Sequence, residues 1–320
     1  MKSVGEAMAI GRNFTTALQK SLRSLEKPEA VFSWPASQAD VDVDALLSSW
    51  AHGKTKPHPT IFRAVLERLA DDLDIAPDGK IWFSEATVRY EIHDWPIDAL
   101  EARGNGRIIC HDPKTGKTRT MIRGLIFPNG VCIGNDQQSI IFSETWGCTV
   151  KRYYFDGPKK GKIEVMMENL PGYPDNINWA SDGNYWMSLL GMRSPALDLA
   201  WKMPGFRKRM SKRVPRDEWL FPNVNVGCVL KFNDKGEVLD VLWDLGAKNH
   251  PQITSMREHR GHLYLGGLTN NRIGRYKIPE GQCDPDYVQY DRRWGKEAPG
   301  KGAKATRAAD QEQTVKADQS

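Results

Sequence analysis

Over most of its length the chain alternates apolar and polar positions in short runs, the period of a strand with one face buried. The runs are Ile81–Ser84, Arg107–Cys110, Ser139–Ser143, Val150–Phe155, Tyr185–Leu189, Cys228–Phe232, His262–Gly266 and Ile273–Ile278. They are rich in β-branched and aromatic residues and are separated by turn formers such as Asp112-Pro113, Asp156-Gly157-Pro158 and Asp234-Lys235-Gly236. Many short strands at close spacing predict a sandwich, a barrel or a propeller.

A repeated phrase narrows that choice. An inner strand, an Asp-led turn and a return strand recur at 71–83, 129–142 and 175–186, and less clearly at 253–265. In the first three a short polar residue stands seven positions before the turn aspartate: Asp71 before Asp78, Asn129 before Asp136, Asp175 before Asp182. A supersecondary unit repeated in this way marks propellers, solenoids or arrays. The prediction is a mainly β fold, a propeller with about four recognisable blades, over residues 61–280.

Three stretches break the rhythm. Residues 6–26 space Ala7, Ile10, Phe14, Leu18, Leu22 and Leu25 like a helix, with Lys20 and Arg23 near the C-terminal end where cations suit the dipole. With the Pro- and Asp-punctuated run that follows, they make 1–60 a helical segment and linker, with the junction at Lys54–Pro59. Residues 193–222 carry Ala196, Leu197, Leu199, Ala200, Met203, Phe206 and Met210 at helical spacing, interrupted by Pro204-Gly205. They predict a helical insertion with its basic cluster on the opposite side. The end of the chain, 281–320, is polar, and from 296 onward its composition predicts disorder.

A net charge of +5 is mild, and it concentrates at Arg207-Lys208-Arg209, Lys212-Arg213 and the C-terminal tail. No nucleic-acid-binding motif accompanies it, so no nucleic-acid partner is expected. The insertion reads as a solvated face, or as a cap that shapes substrate entry or touches a membrane surface. Five cysteines without a CxxC pair point to reduced thiols and a cytoplasmic setting. No apolar run is long enough to span a bilayer and no signal-peptide core is present.

In a propeller blade the innermost strand runs from one mouth of the channel to a hairpin, and the next strand returns. Asp71, Asn129 and Asp175 therefore fall at one mouth, and Glu85 and Glu144 return toward it as substrate-facing candidates. Hard oxygen ligands from several blades suit Ca²⁺, whereas no His or Cys grouping offers a zinc site. A lone Asn or Asp before a strand is otherwise a turn former bonded to its own backbone. His93 and His250 are weaker candidates for a base.

Two resemblances sharpen this reading. Met1–Arg12 and Ala17–Glu26 resemble the carbamoyl phosphate synthase large subunit, over about the first 50 residues. The nucleotide-binding residues of that family's ATP-grasp unit lie upstream of this stretch, and no Gly-rich phosphate loop is present. An inert helical appendage or a fusion scar is the expectation there. Phe127–Val131, Gly172–Ile177 and Glu258–Gly266 are similar to the strictosidine synthase-like branch of the six-bladed propellers, with gluconolactonase, regucalcin and paraoxonase, over residues 66–278. That resemblance implies Ca²⁺ ligands at Asn129, Asp175 and Asn176, and a further one at Asp71-Asp72. It also implies a first-blade glutamate that has no counterpart in this chain, and so an incomplete ring whose open edges would pair with another chain. The glutamate used by strictosidine synthase itself falls near Thr254-Ser255, where no carboxylate stands.

The function expected from these features is hydrolysis of a small lactone or ester that depends on calcium or another divalent cation, with loss of that activity through truncation as the counter-expectation. Glu85 and Glu144 are the candidate bases, and Asp71, Asn129, Asp175 and Asn176 the metal ligands. The alternatives are a propeller that binds a small molecule or partner without catalysis, and a strictosidine synthase-like biosynthetic enzyme.

Overall fold

A computed structural model describes residues 70–90, 94–215, 226–268 and 270–288. The predicted helix at 6–26, the junction at 54–59, His93, the end of the insertion beyond 215 and the tail beyond 288 lie outside the described residues.

Among the described residues the strands form four antiparallel sheets in chain order. The first blade is β1 (Ala70–Ile75), β2 (Ile81–Glu85), β3 (Gly106–Asp112) and β4 (Lys117–Leu125). The second is β5 (Pro128–Ile133), β6 (Ser139–Glu144), β7 (Thr149–Tyr154) and β8 (Ile163–Met167). The third is β9 (Gly172–Trp179), β10 (Tyr185–Met192), β11 (Gly227–Phe232) and β12 (Val238–Asp244). The fourth has three strands, β13 (Ile253–His259), β14 (His262–Gly267) and β15 (Gly274–Lys277). Each blade is a meander, and the inner strands pack in series, β1 on β5, β5 on β9 and β9 on β13. This is a propeller arrangement of four blades. Every strand predicted from the alternation is present.

Burial follows position in the blade. Strands β5, β6 and β11 are buried at every residue, because blades cover both of their faces. The outermost strands β4, β8 and β12 mix exposed and covered positions. Lys117, Arg119 and Arg123 line β4, the kind of charge that protects a sheet edge. Phe142, Tyr173, Tyr185, Trp186 and Phe232 are among the largest fully buried side chains. Each contributes on the order of 1.5–3 kcal/mol by leaving water. One apolar core runs through the first three blades, and a smaller one, with Trp186, Ile253, Met256 and Leu263, joins the third to the fourth.

Among the described residues three helices leave the sheets from one end. Helix α1 (Trp95–Glu101) connects β2 to β3, and α2 (Pro195–Lys202) and α3 (Pro204–Arg213) connect β10 to β11. The insertion therefore folds as two helices broken at Met203, with Pro195 and Pro204 in their first turns where a missing N–H is tolerated. Ser194 caps α2 by accepting the Leu197 N–H at 3.4 Å. Trp201 Nε1 donates to the Ala99 carbonyl at 2.8 Å, tying α2 to α1.

Candidate functional site: the channel mouth

Strand register places the predicted residues together. Ala70 lies opposite Glu85, Pro128 opposite Glu144, Pro174 opposite Leu189 and Ile253 opposite Gly267. The residues that follow, Asp71, Asn129, Asp175 and Thr254, thus occupy one level on four successive inner strands. At that level the register of every inner strand shifts. Such bulges re-aim side chains and gather beside functional sites. The phase read from the spacing to the turn aspartates is the phase of the structure.

A serine relay fixes this level from blade to blade. Ser84 Oγ donates to the Asn129 carbonyl at 2.6 Å, Ser143 Oγ to the Asp175 carbonyl at 2.8 Å, and Ser188 Oγ to the Thr254 carbonyl at 2.7 Å. Ser84 also accepts the Asp72 N–H at 3.1 Å, and Ser143 the Gly130 N–H at 2.9 Å. Gly130 is required by the close approach of β5 to β9: a Cβ there would lie 2.5 Å from the Asp175 carbonyl oxygen and 2.6 Å from the Ile177 nitrogen. The relay was not predicted, although Phe-Ser-Glu at 83–85 recurs at 142–144.

The polar side chains divide between two tasks. Asp72 accepts the N–H groups of Leu73 and Val131, each at 2.9 Å. Asp74 accepts those of Ile75 at 2.8 Å and Ile133 at 2.9 Å. These carboxylates stitch β1 to β5 in place of a ladder. The Asp71 carboxylate, by contrast, accepts no hydrogen bond from another described residue. Asn129 is buried; its Nδ2 donates to Thr145 Oγ1 at 3.3 Å, and its Oδ1 is sealed from solvent without a hydrogen-bond partner. Asn176 turns its amide toward the fourth blade, where Nδ2 donates to the Thr254 carbonyl at 2.8 Å.

The carboxylates at the mouth strain against their ionised form. Burial pushes the Asp175 carboxyl well above its usual range, and the charges of Asp71 and then Asp72 push the same way. Hydrogen bonds from the Asn176 backbone and the Asn129 amide oppose this but do not reverse it. Asp71 keeps accessible surface at the mouth, yet the surrounding protein desolvates it. With the Asp72 charge added, its carboxyl rises to about 7. Two crowded carboxylates beside a sealed amide oxygen form a donor set suited to a hard cation, which takes about six to eight oxygens in flexible geometry. Among the described residues, no group of three or more His, Cys, Asp or Glu side chains is arranged to hold a metal. A cation here would rely on the amides, backbone and water for the rest of its shell.

Glu85 and Glu144 reach the expected end of the sheet, and both are buried. Glu85 forms an ion pair with Arg107 of β3. Glu144 accepts the Ile126 N–H at 2.7 Å and Thr149 Oγ1 at 3.0 Å, and pairs with Lys151 of β7. Both carboxylates are thus engaged by groups on the outer strands and connecting loop. His250 is buried, its backbone N–H donates to Asp244 at 2.8 Å, and burial lowers its pKa, with the Arg272 charge acting in the same direction. All five cysteines are free, and burial pushes the Cys110 thiol up to about 12 and the Cys148 thiol to about 11. No helix among the described residues is long and apolar enough to cross a membrane.

Residues 71–158 match the strictosidine synthase family. The Arabidopsis thaliana protein STRICTOSIDINE SYNTHASE-LIKE 6 is 36% identical over 213 residues, 66% of this chain and 55% of the relative. The propeller segment is similar to the strictosidine synthase-like proteins. STRICTOSIDINE SYNTHASE-LIKE 13 of the same plant is 33% identical over 66% of this chain and 50% of its own length. The adipocyte plasma membrane-associated protein of Danio rerio is 31% identical over 62% of this chain and 49% of its own length. The chain spans about half the length of the curated relatives it matches. Among solved structures, a luciferin-regenerating enzyme aligns with 68% of this chain and 62% of its own at 14% identity and a TM-score of 0.44. Regucalcin from Agrobacterium tumefaciens aligns with 63% and 54% at 15% identity and a TM-score of 0.41. Residues 6–76, nearly all outside the described ones, match the oligomerisation domain of the carbamoyl-phosphate synthetase large chain.

Proposed function

We propose that the mouth of this strictosidine synthase-like propeller binds a divalent cation, calcium by the character of its ligands, and hydrolyses a small lactone or ester there. The observation that carries the reading is the placement of Asp71, Asn129 and Asp175 at one level, with the Asn129 Oδ1 buried and unpartnered. The two aspartates supply the charge, and Asn129 and Asn176 supply neutral oxygens. A cation held there would polarise the substrate carbonyl and stabilise a developing oxyanion. Asp72 keeps β1 against β5 and so sets the separation of Asp71 from Asn129. Ser143 does the same for Asp175.

The test is turnover of simple aliphatic lactones and aryl esters by the full chain, in calcium and in EDTA. The reading expects activity that needs calcium and is lost in Asp175→Ala. Equal turnover in that variant removes the site assignment. A second reading, a propeller that binds a small molecule without catalysis, draws support from Glu85 and Glu144, since ion pairs already engage both candidate bases. Calcium binding without turnover of any ester or lactone would favour it.

A further inference from the structure

Helix α3 has the sequence PGFRKRMSKR, with five cations and no acid in ten residues. Its apolar positions Phe206 and Met210, with Val214 just beyond, pack against the main core. That orientation leaves Lys208, Arg209, Lys212 and Arg213 exposed. Lys202, at the end of α2, adds another exposed cation. None of these five side chains takes part in an ion pair recorded among the described residues. Core packing therefore explains one side of α3 and leaves the other as a basic strip that no described acidic side chain pairs with.

A second observation separates this strip from an ordinary solvated face. At the corner between α2 and α3, Leu199 is 41% exposed and Met203 is 49% exposed. Two large apolar side chains thus project beside the cations. A polyanion such as RNA needs the charge but has no use for the apolar corner. A bilayer surface uses both, because anionic headgroups meet the cations while the apolar groups enter the headgroup boundary. The corner also belongs to the end of the molecule where β10 finishes, the end that carries the channel mouth. Ser194 N–H donates to Tyr173 Oη at 2.9 Å, anchoring the start of α2 to β9 two residues before Asp175.

The geometry points to α2 and α3 as a docking surface for anionic lipid headgroups, holding the mouth side of the propeller toward the membrane. Met203 and Leu199 enter the interface, and Lys202, Lys208, Arg209, Lys212 and Arg213 meet the headgroups. The inference is independent of the cation at the mouth.

The experiment is co-sedimentation of the full chain with phosphatidylcholine vesicles, with and without phosphatidylserine, at low and high salt. The expected result is pelleting that needs phosphatidylserine and weakens with salt. Lys208→Gln with Arg209→Gln should weaken it about 30-fold, from the usual contribution of each cation near an anionic surface. Met203→Ser should weaken it at every salt concentration. Both variants change exposed positions, so their melting temperatures should match the wild type. Equal pelleting of the Lys208/Arg209 variant, or pelleting on phosphatidylcholine alone, overturns the inference. So does tight binding of an RNA oligonucleotide combined with indifference of vesicle binding to Met203→Ser, which would make the strip a general polyanion site.

Discussion

Replacing Ser143 with alanine tests whether the serine relay holds the channel mouth. The hydroxyl is fully buried and joins two backbone groups of different blades. It accepts the Gly130 N–H at 2.9 Å and donates to the Asp175 carbonyl at 2.8 Å. The methyl of alanine can do neither, so a buried donor and a buried acceptor each lose a partner. An orphaned buried group costs about 1–3 kcal/mol, which puts the loss near 3 kcal/mol. For a propeller of this size, about 2–4 °C of melting temperature goes with each kcal/mol, so the midpoint should fall by roughly 6–12 °C. Ser188→Ala supplies the internal contrast. The Thr254 carbonyl also receives Asn176 Nδ2 at 2.8 Å, so removing the Ser188 hydroxyl leaves it satisfied. The expected loss there is only about 0.5–1.5 kcal/mol, the net worth of one hydrogen bond. Melts followed by circular dichroism decide the matter. A Ser143→Ala midpoint indistinguishable from wild type, or a Ser188→Ala loss as large as that of Ser143→Ala, would refute the reasoning.

Gly130→Ala drives a Cβ to 2.5 Å from the Asp175 carbonyl oxygen, where only backbone could yield; the expected loss is about 3 kcal/mol in denaturant titration. Arg107→Met leaves the buried Glu85 carboxylate without its cation and should destabilise by about 3–5 kcal/mol, while adding Glu85→Gln should recover most of it. The Asp71 carboxyl rises from 3.8 to about 7 on folding, so its charged form is disfavoured in the native state. Its stabilising contribution is therefore full below 3.8 and is lost as pH climbs through about 7. In EDTA, the melting temperature of wild type relative to Asp71→Asn should fall across that window; a flat difference would contradict it.

The inner and middle strands were legible because blades cover both faces and force an unbroken apolar and β-branched signal, as in Ser139–Glu144. The outermost strands of the first three blades were not. Lys117–Leu125 and Val238–Asp244 pair on one side only, and their mixed burial gives no clean period. Helix α1 was missed because it is only seven residues long, starts Trp-Pro, and is held by the docking of Trp201 on Ala99 rather than by propensity. At the mouth, repetition revealed the level of Asp71, Asn129 and Asp175, because one backbone geometry recurs in each blade. Side-chain direction is not repeated. Adjacent residues Asp71 and Asp72 part ways, one left at the mouth and the other bonded to Val131, and only the bulge decides which does which. Glu85 and Glu144 likewise reach the predicted end of the sheet, but their partners Arg107 and Lys151 lie on the next strands, which a spacing argument does not see.

The central claim is that Asp71, Asn129 and Asp175 form a cation site. A thermal melt of the full chain in calcium and in EDTA, repeated with Asp175→Asn, tests it most directly. A ligand that binds only the folded state must raise the midpoint. The account predicts an upward calcium shift in the wild type. In Asp175→Asn it predicts that this shift is lost, while the EDTA midpoint equals or exceeds that of the wild type, since a crowded carboxylate has been removed. A wild-type melt indifferent to calcium, or a variant that keeps the full shift, would contradict it.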